Sequence, residues 1–355
     1  MTDTSDSEAD ARARQTYRLE LFLSVDVSGS TSFKFSNSLA GSESKSESGW
    51  LGIIGKFYQV FHLSFCNKPC FENAARPHLW KALGDELVYR VAVEDKHVIA
   101  ATVQAFVKTV WETRETVRSP SKEHLDLKGT AWVADFPARN AVIPLDGLLN
   151  GLRDPYQDTP ISSESPSNDF IGPSMDAGFR IGKVASRRRM ALSVELALIL
   201  ASAQSERRGY TFLFGYDGRE ELKGVLGGES YPLIWLDVED DPKRRKANRH
   251  ESAMLRAPAE VAPDTVLDFC KSYIDSSPWM ELPLLKAAGD TEFTKVPDSH
   301  RRFAAALIER ERQEAVLYGQ EASESADDEG GASAGDLLRE MPVPDPAPQD
   351  KAAVT

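Results

Sequence analysis

Apolar positions along the chain follow two periods, and each marks out elements. The segment YRLELFLSVDV (17–27) is dense in apolar and β-branched residues and runs straight into turn residues, the pattern of a central strand. In WLGIIGKFYQVFHLSF (50–65), Trp50, Ile53, Ile54, Phe57, Val60 and Phe61 recur at helical spacing. HLWKALGDELVYRVAV (78–93) reads as two strands folded about Gly84-Asp85, a dipeptide suited to a hairpin. HVIAATVQAFVKTVWETRETV (97–117) predicts an amphipathic helix, and LDLKGTAWVADF (125–136) another strand. Residues 137–168 show no periodicity and predict a long loop. The run 178–203 predicts one helix, with Arg187, Arg188 and Arg189 on its solvated face. Late strands are expected at 210–217 and 231–238, joined across EELKGVLGGES.

The remainder is polar or charged. Residues 1–15 predict a disordered lead, and the Ser-rich 36–49 a flexible insertion. The charged run 239–251 predicts a solvated boundary, 252–318 a mostly helical extension, and 319–355 an acidic disordered tail. The order of elements predicts an α+β fold, a largely antiparallel sheet flanked by helices.

Charge refines this picture. The chain of 355 residues carries a formal charge of −13, with nine acids and two bases in 321–355 and four acids in the first ten residues. The body between is only mildly negative, which gives no support for a nucleic-acid-binding surface. KRRKANRH (243–250) alone is too short to change that reading. Cys66, Cys70 and Cys270 are too few for a disulfide framework, and no second pair completes a zinc site. The most apolar helical run, 190–203, is too short to span a bilayer and contains Glu195. The expectation is a cytoplasmic protein without a membrane span.

Candidate chemistry begins where strand 17–27 ends. Asp26 closes an apolar run and is followed by Ser28, Gly29, Ser30 and Thr31. One reading is an ordinary strand end. The other is a metal ligand beside a turn whose backbone N–H groups face phosphates. Asp85, at the hairpin tip, supplies a second acid if the two strands are neighbours, and oxygen-only ligation favours Mg2+ or Mn2+. In NDFIGPSMDAGFRIG (168–182), Asp176 and Arg180 are spaced to share one helix face. They form either a surface ion pair or a site in which Arg180 faces charge developing on a phosphate and Asp176 holds a ribose.

Four segments, FLSVDVSGST, KALGDELVY, DFIGPSMDAGFR and ELKGVLGGESYPLIWLDV, stand in the order of the class III nucleotidyl cyclase signatures. The likeness covers about 17–238 and implies a catalytic domain over 16–240. It implies a homodimer with composite sites and two divalent cations, Mn2+ or Mg2+. Asp26, Asp85 and the carbonyl of Val27 would hold the metals in one subunit, and the other would supply Asp176 and Arg180. Lys223 matches the late Lys-Gly of the family and would reach the triphosphate. Asp176 stands where the family has Asn. The family's adenine-reading positions correspond to Lys81 and Asp169, which favours ATP. Against that, the DVSGSTSFK opening, the Ser-rich insertion and the long 137–168 loop resemble the bacterial Pycsar pyrimidine cyclases. That likeness implies UTP converted to 3′,5′-cyclic UMP and pyrophosphate, with the product acting on a separate effector in anti-phage defence. Cytidylate or adenylate cyclization and a non-catalytic nucleotide-binding module are the alternatives. Trp50, Phe57, Tyr58 and Trp80 are either core aromatics or the bulk that narrows a pocket to one ring.

Overall fold

The expected central strand, β1 (Arg18–Ser28), pairs antiparallel on both sides, with β3 (Glu86–Val93) and β4 (Asp126–Phe136). The computed structural model describes residues 2–38, 49–71, 75–145, 168–206, 209–255, 260–287 and 290–328. Its main sheet has seven strands, ordered β2-β3-β1-β4-β7-β9-β8. Here β2 is His78–Leu83, β7 Arg189–Leu192, β8 Phe214–Glu221 and β9 Ser230–Asp237. Only the β4–β7 pairing is parallel, so the fold is α+β with a mostly antiparallel sheet. The Gly84-Asp85 hairpin forms as expected.

Because side chains alternate along a strand, each face of this sheet has its own set. Leu19, Leu21, Leu23, Val25 and Val27 of β1 face the main core. Packed in that core are α3 (Trp50–Cys66), α4 (Lys96–Thr113) and α7 (Val194–Ser205), through residues such as Phe57, Phe61, Phe106, Val103, Leu196 and Ile199. On the other face a smaller cluster gathers Phe22, Val88, Trp132, Phe136, Phe170 and Met175. Met175 comes from α6 (Pro173–Ile181), which lies along β4.

Several expectations are corrected. The run 178–203 is not one helix. It divides into the end of α6, strand β7 and helix α7, because Met190, Ala191 and Leu192 fill the sheet between β4 and β9. Ser193 then caps α7, accepting from Leu196 N–H at 3.3 Å. The arginines ahead of it are not on a solvated helix face. Arg187 binds Asp126 at 2.7 Å, Arg188 binds Asp237 at 2.8 Å, and Arg189 binds Asp217 at 2.5 Å. Residues expected to be a disordered lead form α1 (Thr2–Thr16), which buries Ala9 and Ala13 and pairs Asp10 with Arg301. The loop expected at 137–168 contains β5 (Ala141–Pro144), paired with β6 (Asn168–Ile171). Residues 146–167 and most of the Ser-rich insertion lie outside the described residues. Ser30–Ser38, which overlaps the start of that insertion, is helix α2.

The charged boundary is also a helix, α8 (Pro242–Met254), capped by Asp241 and without a buried residue. Between α4 and β4 lies the short α5 (Glu115–Arg118). The C-terminal region carries α9 (Pro263–Ser276) and α10 (Asp298–Asp328). It does not stand apart from residue 252, since Met1–Ala304 form one unit and Ala305–Thr355 a second. No helix among the described residues is long and apolar enough to cross a membrane.

Candidate functional site

Two acids meet at the end of β1. Asp26 lies opposite Glu86 on β3 and Lys128 on β4. Val27 N–H donates to the Asp85 carbonyl at 3.3 Å, so the hairpin tip sits directly against the strand end. Tyr58 fixes that tip by donating its hydroxyl to the Gly84 carbonyl at 2.6 Å. The following turn depends on Gly29, whose φ of +85° suits glycine. A Cβ there would stand 2.4 Å from the His124 carbonyl oxygen. The turn opens α2, and Ser30 donates its hydroxyl to Asp85 Oδ2.

Three further side chains join the acids. Lys34 on α2 binds Asp85 Oδ1 at 2.9 Å, and Lys128 binds Asp26 Oδ2 at 2.9 Å. Glu86 accepts from Ser24, and burial pushes its carboxyl above the usual range despite that bond, with Asp26 and Asp85 adding to the effect. None of these three is singled out by motif spacing. Lys128 becomes visible only through the register of β1 on β4, whereas Lys34 follows Ser30 by one helical turn.

The donor set suits a hard divalent cation in part. Among the described residues, no group of three or more His, Cys, Asp and Glu side chains is assembled to hold a metal. Asp26 and Asp85 are two carboxylates, with the Val27 backbone beside them. Mg2+ commonly binds through one or two carboxylates, completing its shell with water and substrate phosphates, and two acids beside a glycine turn that opens a helix fit that habit.

A second group forms around α6. Gly178 lets the helix approach Trp132 so closely that a Cβ would fall 2.3 Å from the ring. Arg180, one residue past Phe179, is half-buried, and its Nε is buried without a hydrogen-bond partner. Its Nη2 lies 3.9 Å from where a Cβ on Gly224 would stand, so the Lys223-Gly224 turn and the guanidinium are neighbours. Lys223 lies beyond the end of β8, and both it and Asp176 are exposed. The ion pairs of Asp26 and Asp85 run to β4 and α2, whereas Arg180 faces the turn after β8.

The third group is Lys81 with Asp169, whose ammonium and carboxylate are 2.5 Å apart. The ammonium also lies 4.5 Å from the Trp80 ring centre. Trp80 donates to the Asn168 carbonyl at 2.9 Å and meets Phe22 and Phe170 edge-on. Phe179 touches both Trp80 and Trp132. Of the four aromatics considered as pocket bulk, Trp80 alone packs at this pair. Phe57 is core, Trp50 packs on the core, and Tyr58 holds the hairpin tip.

A cavity of about 260 Å³ adjoins the Gly224 turn and is lined by Ser174, Ala177, Glu195, Tyr231 and Trp279, among others. Neither acid of the first group, nor Lys81, is in its lining.

The class of architecture is a mixed α+β fold with a mostly antiparallel sheet flanked by helices, and the three groups stand on its strand ends, hairpin and one short helix. No family model matches the sequence, and no curated protein matches it. Solved structures similar to it include the adenylyl cyclase CyaB from P. aeruginosa, at 10% identity over 64% of this chain and 96% of that one, TM-score 0.42. The guanylate cyclase domain of RhGC from Catenaria anguillulae in complex with GTP is 9% identical over 62% of this chain and 96% of that one, TM-score 0.38. An adenylate/guanylate cyclase/hydrolase from Silicibacter pomeroyi is 14% identical over 63% and 99%, TM-score 0.37. At such scores the chemistry is decided by the side chains.

Proposed function

We propose that the protein is a homodimeric pyrimidine nucleotide cyclase, converting UTP to 3′,5′-cyclic UMP and pyrophosphate. The observation that carries this reading is the convergence of Asp26 and Asp85 beside the Gly29 turn, tied by the Val27–Asp85 backbone bond. In this reading Asp26, Asp85 and the Val27 carbonyl hold two divalent cations. When bound, such ions lower the proton affinity of a hydroxyl and take up phosphate charge. The turn Ser28–Thr31 and the start of α2 orient the triphosphate by backbone N–H groups. The ribose 3′-oxygen gives up its proton and bonds to the α-phosphorus. The bond from that phosphorus to the bridging oxygen breaks, and pyrophosphate leaves.

The reading includes a composite site, in which Arg180, Lys223 and Asp176 come from the partner subunit: within the chain Asp26 and Asp85 pair with Lys128, Ser30 and Lys34, not with Arg180. Arg180 directs a fixed fork of donors at the α-phosphate. Its unpartnered Nε is consistent with a ligand as its missing acceptor. Asp176 accepts from a ribose hydroxyl. Lys81 donates to uracil O4 and Asp169 accepts from N3–H, above the Trp80 ring. The retained acids and Arg180 favour turnover over a binding-only module. The DVSGSTSFK opening supports a role for the product as a messenger to a separate effector in anti-phage defence.

The test is incubation of the purified protein with all four nucleoside triphosphates and Mn2+, followed by mass identification of products. Cyclic UMP is expected. Cyclic AMP or cyclic CMP would overturn the base assignment, and absence of any cyclic nucleotide would overturn the enzyme. Asp26→Ala and Asp85→Ala are expected to abolish product with the circular dichroism unchanged.

A further inference from the structure

We propose that Lys34 and Lys128 are counter-ions that keep divalent cations out of this site until nucleotide arrives, so that cation and triphosphate load together. The inference rests on the metal assignment above and concerns Lys34, the last residue of the DVSGSTSFK opening, and Lys128, which lies outside the four matched segments.

Both metal acids are already neutralised within the chain. Lys128 reaches Asp26 from the directly opposed position on β4, at 2.9 Å. Lys34 reaches Asp85 Oδ1 at 2.9 Å from α2, while Ser30 holds Oδ2. These are not loose surface pairs. The four side chains are 21% to 29% exposed, and Lys128 and Asp26 project from paired strands with little freedom. Partial burial makes such charges matter more than exposed ones do.

The charge balance then sets the order of loading. The two metal acids and their two ammonium partners sum to zero and Glu86 beside them adds at most one negative charge, so two divalent cations alone would leave at least three positive charges uncompensated. A triphosphate brings about four negative charges and cancels them. Cation entry without nucleotide is therefore opposed by both lysines, and entry with nucleotide is not.

The lysines differ in what they do next. Lys34 stands on the helix that begins at Ser30, directly after Gly29, the segment assigned to the phosphates. It is placed to pass from Asp85 to a phosphate oxygen. Lys128 projects from β4, an inner strand of the sheet, beside Asp26 and outside the turn and helix assigned to the phosphates, so its effect is on cations alone.

Isothermal titration separates these roles without turnover. Mn2+ alone, and the non-cyclizable α,β-methylene-UTP with Mn2+ present, are titrated into wild type, Lys34→Met and Lys128→Met, with folding checked by circular dichroism. Both variants are expected to bind Mn2+ alone about tenfold more tightly than wild type. Lys34→Met is expected to bind the nucleotide analogue about tenfold more weakly, and Lys128→Met to bind it unchanged or better. Unchanged or weakened Mn2+ binding in both variants overturns the inference. Lys34→Gln and Lys128→Gln repeat the measurement if a Met variant fails to fold. Asp26→Asn is the separate control: loss of Mn2+ binding upholds the metal assignment even if the lysine variants behave like wild type. Mn2+ binding that survives Asp26→Asn overturns the assignment itself.

Discussion

Gly29 joins backbone geometry to chemistry at one position. Its φ of +85° and the 2.4 Å approach of His124 to any added Cβ mean that alanine there must shift the turn. Gly29→Ala is expected to cost about 1–3 kcal/mol of stability, read as a lower denaturant midpoint. Activity is expected to fall further than stability alone explains, because the first turn of α2 moves with it. Glu195 gives a different residue-scale prediction. Burial, the largest influence, pushes its carboxyl above the usual range; Arg139 pulls it back and Asp135 adds to the rise. The folded chain thus holds this proton more tightly than the unfolded chain. Its contribution to stability is complete below the ordinary glutamate range and is lost as pH rises through the folded value. Glu195→Gln stays neutral, so its melting temperature is expected to gain on wild type as pH rises from 5 to 8. A constant difference across that range would contradict the assignment.

Among elements, α6 carries the densest constraint. Gly178 sits on Trp132 with no room for a methyl group, two residues from Arg180. Gly178→Ala is expected to lift the helix from β4, change the near-ultraviolet circular dichroism of Trp132, and lower turnover without abolishing metal binding. The elements also explain what could be read in advance. β1, the hairpin and α3 were legible because their periods are uninterrupted and their turns are chemically marked, as at Gly84-Asp85. The 178–203 run was not, because buried strand β7 and buried helix α7 are both continuously apolar and only Ser193 separates them. Arginines 187–189 read as solvated because their acids, Asp126, Asp217 and Asp237, come from distant strands. At the site, Asp26, Asp85, Arg180, Lys81 and Asp169 were marked by motif; Lys34 and Glu86 lie inside DVSGSTSFK and KALGDELVY without a role assigned there, and Lys128 depends on a register that spacing does not reveal.

At the scale of the whole molecule, the proposed composite site assigns the acids and Arg180 to different subunits. Asp85→Ala and Arg180→Ala chains are each expected to be inactive or nearly so. Mixed in equal amounts, they are expected to recover up to about a quarter of wild-type activity per site, through hybrid dimers with one intact site. No recovery after mixing and subunit exchange would argue for a site within one chain. Arg180→Ala is expected to lower kcat far more than analogue affinity. The Lys81–Asp169 pair and the helix bearing Arg180 also share an aromatic wall, since Phe179 bridges Trp80 and Trp132. Under the proposed assignment, selectivity and speed would consequently be one mechanical variable. A lineage that widened the space over Trp80 to admit a purine would unsettle the arm that drives the reaction, so altered specificities would emerge first as sluggish catalysts and regain pace only by repacking that wall.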